Sequence, residues 1–147
     1  MYEENKSYAI TKSVTIRTSK SKIWEALTKP EIINQYLLGA KVESDWKVGS
    51  KIIYQGIFNG VKFKDTGKID VLDFENRFKY SYWSINHDTS NAPENYVSIT
   101  YDINEKKNMV ELIVYQTNYK SKEIVEGMNQ IWDIILTNLK ELLENKR

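Results

Sequence analysis

From Ser121 to Asn145 apolar residues recur at Ile124, Met128, Ile131, Trp132, Ile135, Leu139 and Leu142, the three- and four-residue spacing of one helical face. The positions between them, among them Glu126, Asn129, Gln130, Asp133, Asn138 and Glu141, are polar. This predicts an amphipathic helix roughly 36 Å long, at about 1.5 Å per residue. Its apolar stripe needs a broad surface to cover.

Ahead of it the chain reads mostly at period two. Residues 8–18 alternate around Ile10, Val14 and Ile16 and predict a first strand with one buried face. Ser19 is a suitable N-cap for a short helix carrying Ile23, Trp24 and Leu27, and Pro30 opens a second one with Ile32, Ile33, Tyr36 and Leu37, closed by Gly39. Strands are then expected over 40–44, 51–58, 61–73, 77–83, 95–103 and 109–117. Asn59-Gly60 is a type I′ hairpin signal, and Gly67 inside its strand marks an expected bulge. Asn86 to Glu94 reads as a polar loop. The order of strand, two short helices, about six further strands and a long helix, with short connections, predicts an α+β fold: a curved antiparallel sheet wrapped on the last helix.

A chain of 147 residues fits one domain with its own core, with residues 1–7 as an N-terminal tail. Cysteine is absent, so disulfides and thiolate chemistry are excluded, and 21 basic against 20 acidic residues give no electrostatic case for nucleic acid. Neither a leader nor a membrane-length apolar run is legible, so a cytoplasmic protein that does not enter the membrane is expected. Aromatic residues stand out, with ten Tyr, four Trp and four Phe.

Several strings resemble a known family. Val14-Thr-Ile-Arg17, Ile23-Trp24-Glu-Ala-Leu27-Thr28-Lys-Pro30-Glu31 and Gln35-Tyr36-Leu37 resemble the opening of domains similar to the C-terminal part of the activator of Hsp90 ATPase. Glu43 to Gly49, Gly67 to Asp73, Arg77 to Tyr82 and Trp132 to Lys140 resemble its later blocks. The resemblance covers nearly the whole chain and implies the helix-grip fold of the START-like, or Bet v 1-like, superfamily, with a seven-stranded sheet. It implies no fixed catalytic residues. Some superfamily members are cyclases, aromatases or oxygenase components, and many bind hydrophobic small molecules. Two positions depart from the pattern: Met128 follows Gly127, and Tyr36 follows Gln35, where the family commonly has Trp. Both departures alter any cavity.

The residues themselves offer few catalysts. His87 is the one histidine, and a lone histidine in a polar loop reads as solvated. There is no phosphate loop, nucleophile elbow, metal set or implied cofactor. Asp65 is the weak catalytic candidate. If it shares a face with Phe63, Gly67 and Ile69 it points into the concave side, where burial would raise its pKa. Exposure is the commoner fate of Asp, so a bulge at Gly67 turning Asp65 to solvent is the expectation. Tyr54, Phe63, Phe78, Tyr80, Tyr82 and Tyr101 fall on inner strand faces, with Gln116 on the last strand and Met128 and Trp132 on the long helix. Any one of them reads as core. Together they bring inward several polar tips that need partners, and so suggest a binding cavity for a small hydrophobic or aromatic molecule. An enzyme of the cyclase or hydrolase type using a cavity acid or base is the second reading. An activator of an Hsp90-type chaperone ATPase, or a stress-response protein, is the third, although the eukaryotic activators carry a further N-terminal domain. A homodimer through Trp46, Trp83 or Tyr115 is a further possibility.

Overall fold

A computed structural model describes residues 7–145; the expected N-terminal tail, apart from Ser7, lies outside them. Strand β1 (Tyr8–Ile16) is followed by helices α1 (Lys20–Thr28) and α2 (Pro30–Tyr36). Six strands follow: β2 (Lys41–Ser44), β3 (Lys51–Phe58), β4 (Val61–Asp73), β5 (Arg77–Ser84), β6 (Val97–Lys106) and β7 (Met109–Tyr119). Helix α3 (Lys122–Glu144) ends the chain, and 3-10 turns at Ile85–His87 and Pro93–Asn95 lie between β5 and β6. The seven strands form one antiparallel sheet ordered β1-β7-β6-β5-β4-β3-β2. From β2 to β7 each strand pairs with its sequence neighbour. The α1–α2 pair carries the chain from one edge of the sheet to the other.

Local chemistry sets the boundaries. The Ser19 hydroxyl accepts from the Lys22 amide at 3.2 Å, and Ser121 does the same for Ile124 at 3.2 Å, each satisfying an amide that the first helical turn leaves open. Pro30 occupies the first turn of α2, where a missing N–H costs nothing. Asn59 and Gly60 have φ of 53° and 78°, as the predicted type I′ turn requires. The expected loop from Asn104 to Asn108 is shorter than the sequence suggests. Lys106 pairs with Met109, because a ladder of backbone hydrogen bonds needs no apolar side chains to extend into solvent.

Gly67 is not a bulge. Ile52 and Tyr82 stand directly opposite it, and the register instead shifts between Ile69 and Val71, which makes Asp70 the extra residue. What demands glycine at 67 is proximity: a Cβ there would lie 1.7 Å from the Ser81 carbonyl oxygen. The alternation from Asp65 through Gly67 to Ile69 is therefore unbroken, and Asp65 stays on the concave side.

The core fills that concave side. Helix α3 buries Trp132, Ile135, Leu136, Leu139 and Leu143. Leu142, expected on this face, is only half-buried, and Leu136 and Leu143 take its place. In its first half, Ile124, Met128 and Ile131 remain partly exposed. The second half lies along β1, where Lys12 Nζ meets Asp133 at 2.6 Å and Lys140 Nζ donates to the Thr15 carbonyl at 2.7 Å.

The close approach at Gly67 gives a direct test. Gly67→Ala forces backbone to move against backbone and should cost about 3 kcal/mol or more. Urea unfolding measures this, and a loss below about 1 kcal/mol would show that the β4–β5 ladder yields easily.

A candidate ligand cavity between the sheet and the long helix

The first half of α3 stands off the sheet over β3, β4 and β5, and a cavity of about 430 Å³ lies between them. That volume is in the range of small-molecule sites. Its walls are largely aromatic and aliphatic, with Tyr54, Tyr80, Tyr82, Ile99 and Trp132 among them. The lining also takes in Phe58, Asn59 and Val61 from the β3–β4 hairpin, Leu37 and Leu38 after α2, and Glu123, Ile124 and Gly127 from α3; Asn59, Val61, Glu123 and Gly127 are exposed and so mark the side open to solvent.

Three polar residues are placed by sheet register. Tyr54 pairs with Asp65, and Asp65 with Ser84, so three adjacent strands present a phenol, a carboxyl and a hydroxyl side by side on the inner face. Asp65 thus faces the cavity rather than solvent, against the expectation of an outward turn, because the phase at Gly67 is unbroken. It is half-buried by surface area, the remaining exposure being to the cavity it lines. Burial pushes its carboxyl up to about 7, offset in part by a hydrogen bond with the Ser84 hydroxyl.

His87 also departs from expectation. It is buried, with 9% exposure, and lines the cavity. The Ser84 hydroxyl accepts from the Asn86 amide at 3.2 Å and Asp88 takes a left-handed φ of 63°, so the chain folds back and turns the imidazole inward. The ring sits 5.6 Å from Tyr82 and 5.5 Å from Tyr119, centroid to centroid. Burial holds its pKa down at about 4, so it is neutral at physiological pH.

Tyr119 escapes the alternation rule altogether. Between the pairs Tyr8–Tyr119 and Ile10–Gln116 the register shifts, and Asn118 adopts φ of 80°. This bulge puts Gln116 and Tyr119, three apart, on the same buried side. The Tyr119 hydroxyl donates to Gln116 Oε1 and shares a 3.3 Å hydrogen bond with the Tyr82 hydroxyl. Gln116 Nε2 has no partner in the protein. Burial raises the pKa of Tyr54, Tyr80, Tyr82, Tyr101 and Tyr119, so all five remain neutral phenols.

Of the residues singled out from the sequence, Tyr54, Phe63, Asp65, Tyr80, Tyr82, Met128 and Trp132 line the cavity. Phe78 and Tyr101 face inward but belong to the packed core, stacked at 5.7 Å with Trp46 against Phe78 at 6.0 Å. Gln116 is fully buried beyond the wall. Of the residues named for a homodimer, Trp46 and Trp83 are half-buried, Trp83 with its Nε1 donating to Thr89 at 3.0 Å, and Tyr115 is exposed. Among the described residues no group of three or more acidic, His or Cys side chains could hold a metal. No described helix is long and apolar enough to cross a membrane.

The family model described as activator of Hsp90 ATPase homolog 1-like protein matches residues 17–144. The chain belongs to that family. ChR145 from Cytophaga hutchinsonii is 33% identical to this chain, with 97% of each chain covered and a TM-score of 0.79. Aha1 from Colwellia psychrerythraea, solved as a dimer in solution, is 21% identical over 94% of this chain and 97% of its own, with a TM-score of 0.76. CalU16 from Micromonospora echinospora is 16% identical over 95% and 78%, with a TM-score of 0.74. The last two likenesses carry the fold alone, and that fold is the expected helix grip. No curated protein matches the chain.

Asp65 should give stability a distinct pH dependence. Its carboxyl titrates near 3.8 when unfolded and about 7 when folded, so its favourable contribution is complete below the unfolded value and is lost as pH rises through the folded one. Asp65→Asn should therefore stabilise the protein by about 2 to 4 kcal/mol at about pH 8 and little at about pH 4. Denaturant titrations at the two pH values would reveal it, and an equal effect at both would show that Asp65 titrates normally.

Proposed function

We propose that the chain is a small-molecule binding protein whose ligand, largely apolar and aromatic, occupies the cavity under the first half of α3. The carrying observation is a helix that leaves its own apolar stripe uncovered. Ile124, Met128 and Ile131 are only partly buried, and all three line the cavity. Neutral phenols and the half-buried Asp65 supply a few directional polar groups in an otherwise apolar wall, the usual composition of a ligand site.

Gly127 supports this reading. Glycine in a helix interior costs about 1 kcal/mol relative to alanine, and a Cβ at 127 would meet nothing within 4 Å. Packing therefore does not require glycine there. What its absent side chain leaves open is the cavity entrance, which Gly127 lines.

A second reading, catalysis, draws on Asp65. A carboxyl titrating at about 7 and facing a cavity can give or take a proton near neutral pH. We prefer binding to this reading because Asp65 and His87 show no influence on each other. His87 is shifted by burial alone, and Asp65 by burial and Ser84. The family name raises a chaperone partner, and the Colwellia Aha1 dimer fits a possible homodimer of this chain.

Binding is tested with N-phenyl-1-naphthylamine, a neutral dye that fluoresces in apolar surroundings. The expected result is saturable enhancement that Gly127→Leu weakens by about tenfold or more while raising thermal stability slightly. No enhancement with the unaltered protein would count against the binding reading, and unchanged affinity in Gly127→Leu would move the entrance elsewhere.

A further inference from the structure

The cavity's charges narrow the class of ligand. Its lining contains two carboxylates, Asp65 within and Glu123 at the opening, and no lysine or arginine. The remaining titratable groups that face Asp65 carry no positive charge to offset it. They are Tyr54 from β3, Tyr80 and Tyr82 from β5, Tyr119 from β7 and His87 from the turn after β5. All four phenols are neutral, and His87 is uncharged above about pH 5 because burial holds its pKa at about 4. The N-terminus of α3 lies near the opening, but Ser121 already caps it and Glu123 sits in its first turn, offsetting its positive end.

An anionic ligand would enter this site against two carboxylates with no cation to receive it. A cation would find a carboxylate and several aromatic rings. Tyr54 and Tyr80 are stacked at 5.2 Å and Tyr80 lies 6.0 Å from Tyr82, so a cluster of electron-rich rings lines the wall beside Asp65. Aromatic rings attract ammonium groups, more strongly when water is excluded. Resting on the binding function proposed above, we propose that the cavity selects a flat, mostly apolar molecule carrying one protonated amine, with Asp65 as its counter-ion.

This assignment fixes how binding responds to pH. The buried carboxyl alone prefers its proton, and an ammonium beside it favours the ionised form. Binding of the amine therefore expels a proton from Asp65, and affinity rises as pH climbs through the folded-state pKa. A neutral ligand of the same shape is indifferent to that ionisation or prefers the protonated acid.

The experiment uses the full chain and three matched probes, 2-naphthylmethylamine, 2-naphthalenemethanol and 2-naphthoate, titrated calorimetrically. Near pH 8 the amine is expected to bind about tenfold or more tighter than the alcohol, with the carboxylate weakest. Between about pH 5.5 and pH 8 the amine's affinity should rise by more than about tenfold. Asp65→Asn should bring the amine-to-alcohol ratio close to one, with a thermal melt checking its fold. The pH series on the unaltered protein stands even if that variant does not fold. Alcohol or carboxylate binding as tightly as the amine would overturn the charge assignment and leave the binding reading intact. The same holds if the neutral dye binds and none of the three probes does. Failure of both dye and probes would overturn the binding reading itself.

Discussion

The asymmetric seating of α3 is the constraint on which the rest depends. Its second half buries Trp132, Ile135, Leu136, Leu139 and Leu143, each worth about 1.5 to 3 kcal/mol if fully withdrawn from water. The ion pair of Lys12 with Asp133, whose side chain is 65% exposed, contributes at most about 1 kcal/mol. Packing therefore fixes where the helix lies, and the charged pairs along β1 only trim its register. With one end held and the sheet curving away beneath the other, the first half cannot close on β3 to β5. The cavity is a consequence of that geometry rather than a defect in packing.

The chemistry inside follows from sheet phase. Gly67 allows β4 and β5 to approach so closely that a Cβ would fall 1.7 Å from the Ser81 carbonyl oxygen, and the pairing there stays regular. Regular pairing keeps Asp65 in the inward set with Ile69. The bulge at Asp70 falls beyond them, and resets the phase so that Leu72 stands opposite Phe78. A bulge three residues earlier would have put the carboxyl in solvent and left Glu123 as the cavity's one acidic side chain. One glycine and one bulge position thus decide whether the inner wall of the sheet has a carboxyl.

Most of the architecture could be read from the residues because its signals are local. Ser19, Pro30, Asn59-Gly60 and Ser121 each act within a few positions, and the inner faces of β3, β5, β6 and, as far as Gln116, β7 follow strict alternation. The same rule found Tyr54, Tyr80 and Tyr82 at the cavity and Phe78 and Tyr101 in the core without distinguishing them, since alternation reports the face and not the depth beneath a helix. Where irregular backbone intervenes, reading failed. His87 turns inward through a Ser84–Asn86 turn and a left-handed Asp88, and Tyr119 through a left-handed Asn118. Asn and Asp are the residues that tolerate that conformation, so Asp88 and Asn118 were the only hints available. Nothing local says which way the neighbouring side chain will point.

The oppositely shifted Asp65 and His87 share a cause. Burial penalises the charged form of each, raising the carboxyl to about 7 and lowering the imidazole to about 4. In a catalytic pair each group would instead be moved by the other, the carboxylate holding the imidazolium and the imidazolium depressing the carboxyl. Neither influence is present here. Both groups therefore share a neutral state over the same pH range, from about 5 to 7, and the sheet's inner wall is an apolar surface holding one acid that can still ionise. Such a wall spends no charge on internal pairing, so under the proposed binding function the Asp65 carboxyl would be free to respond to the charge of a ligand.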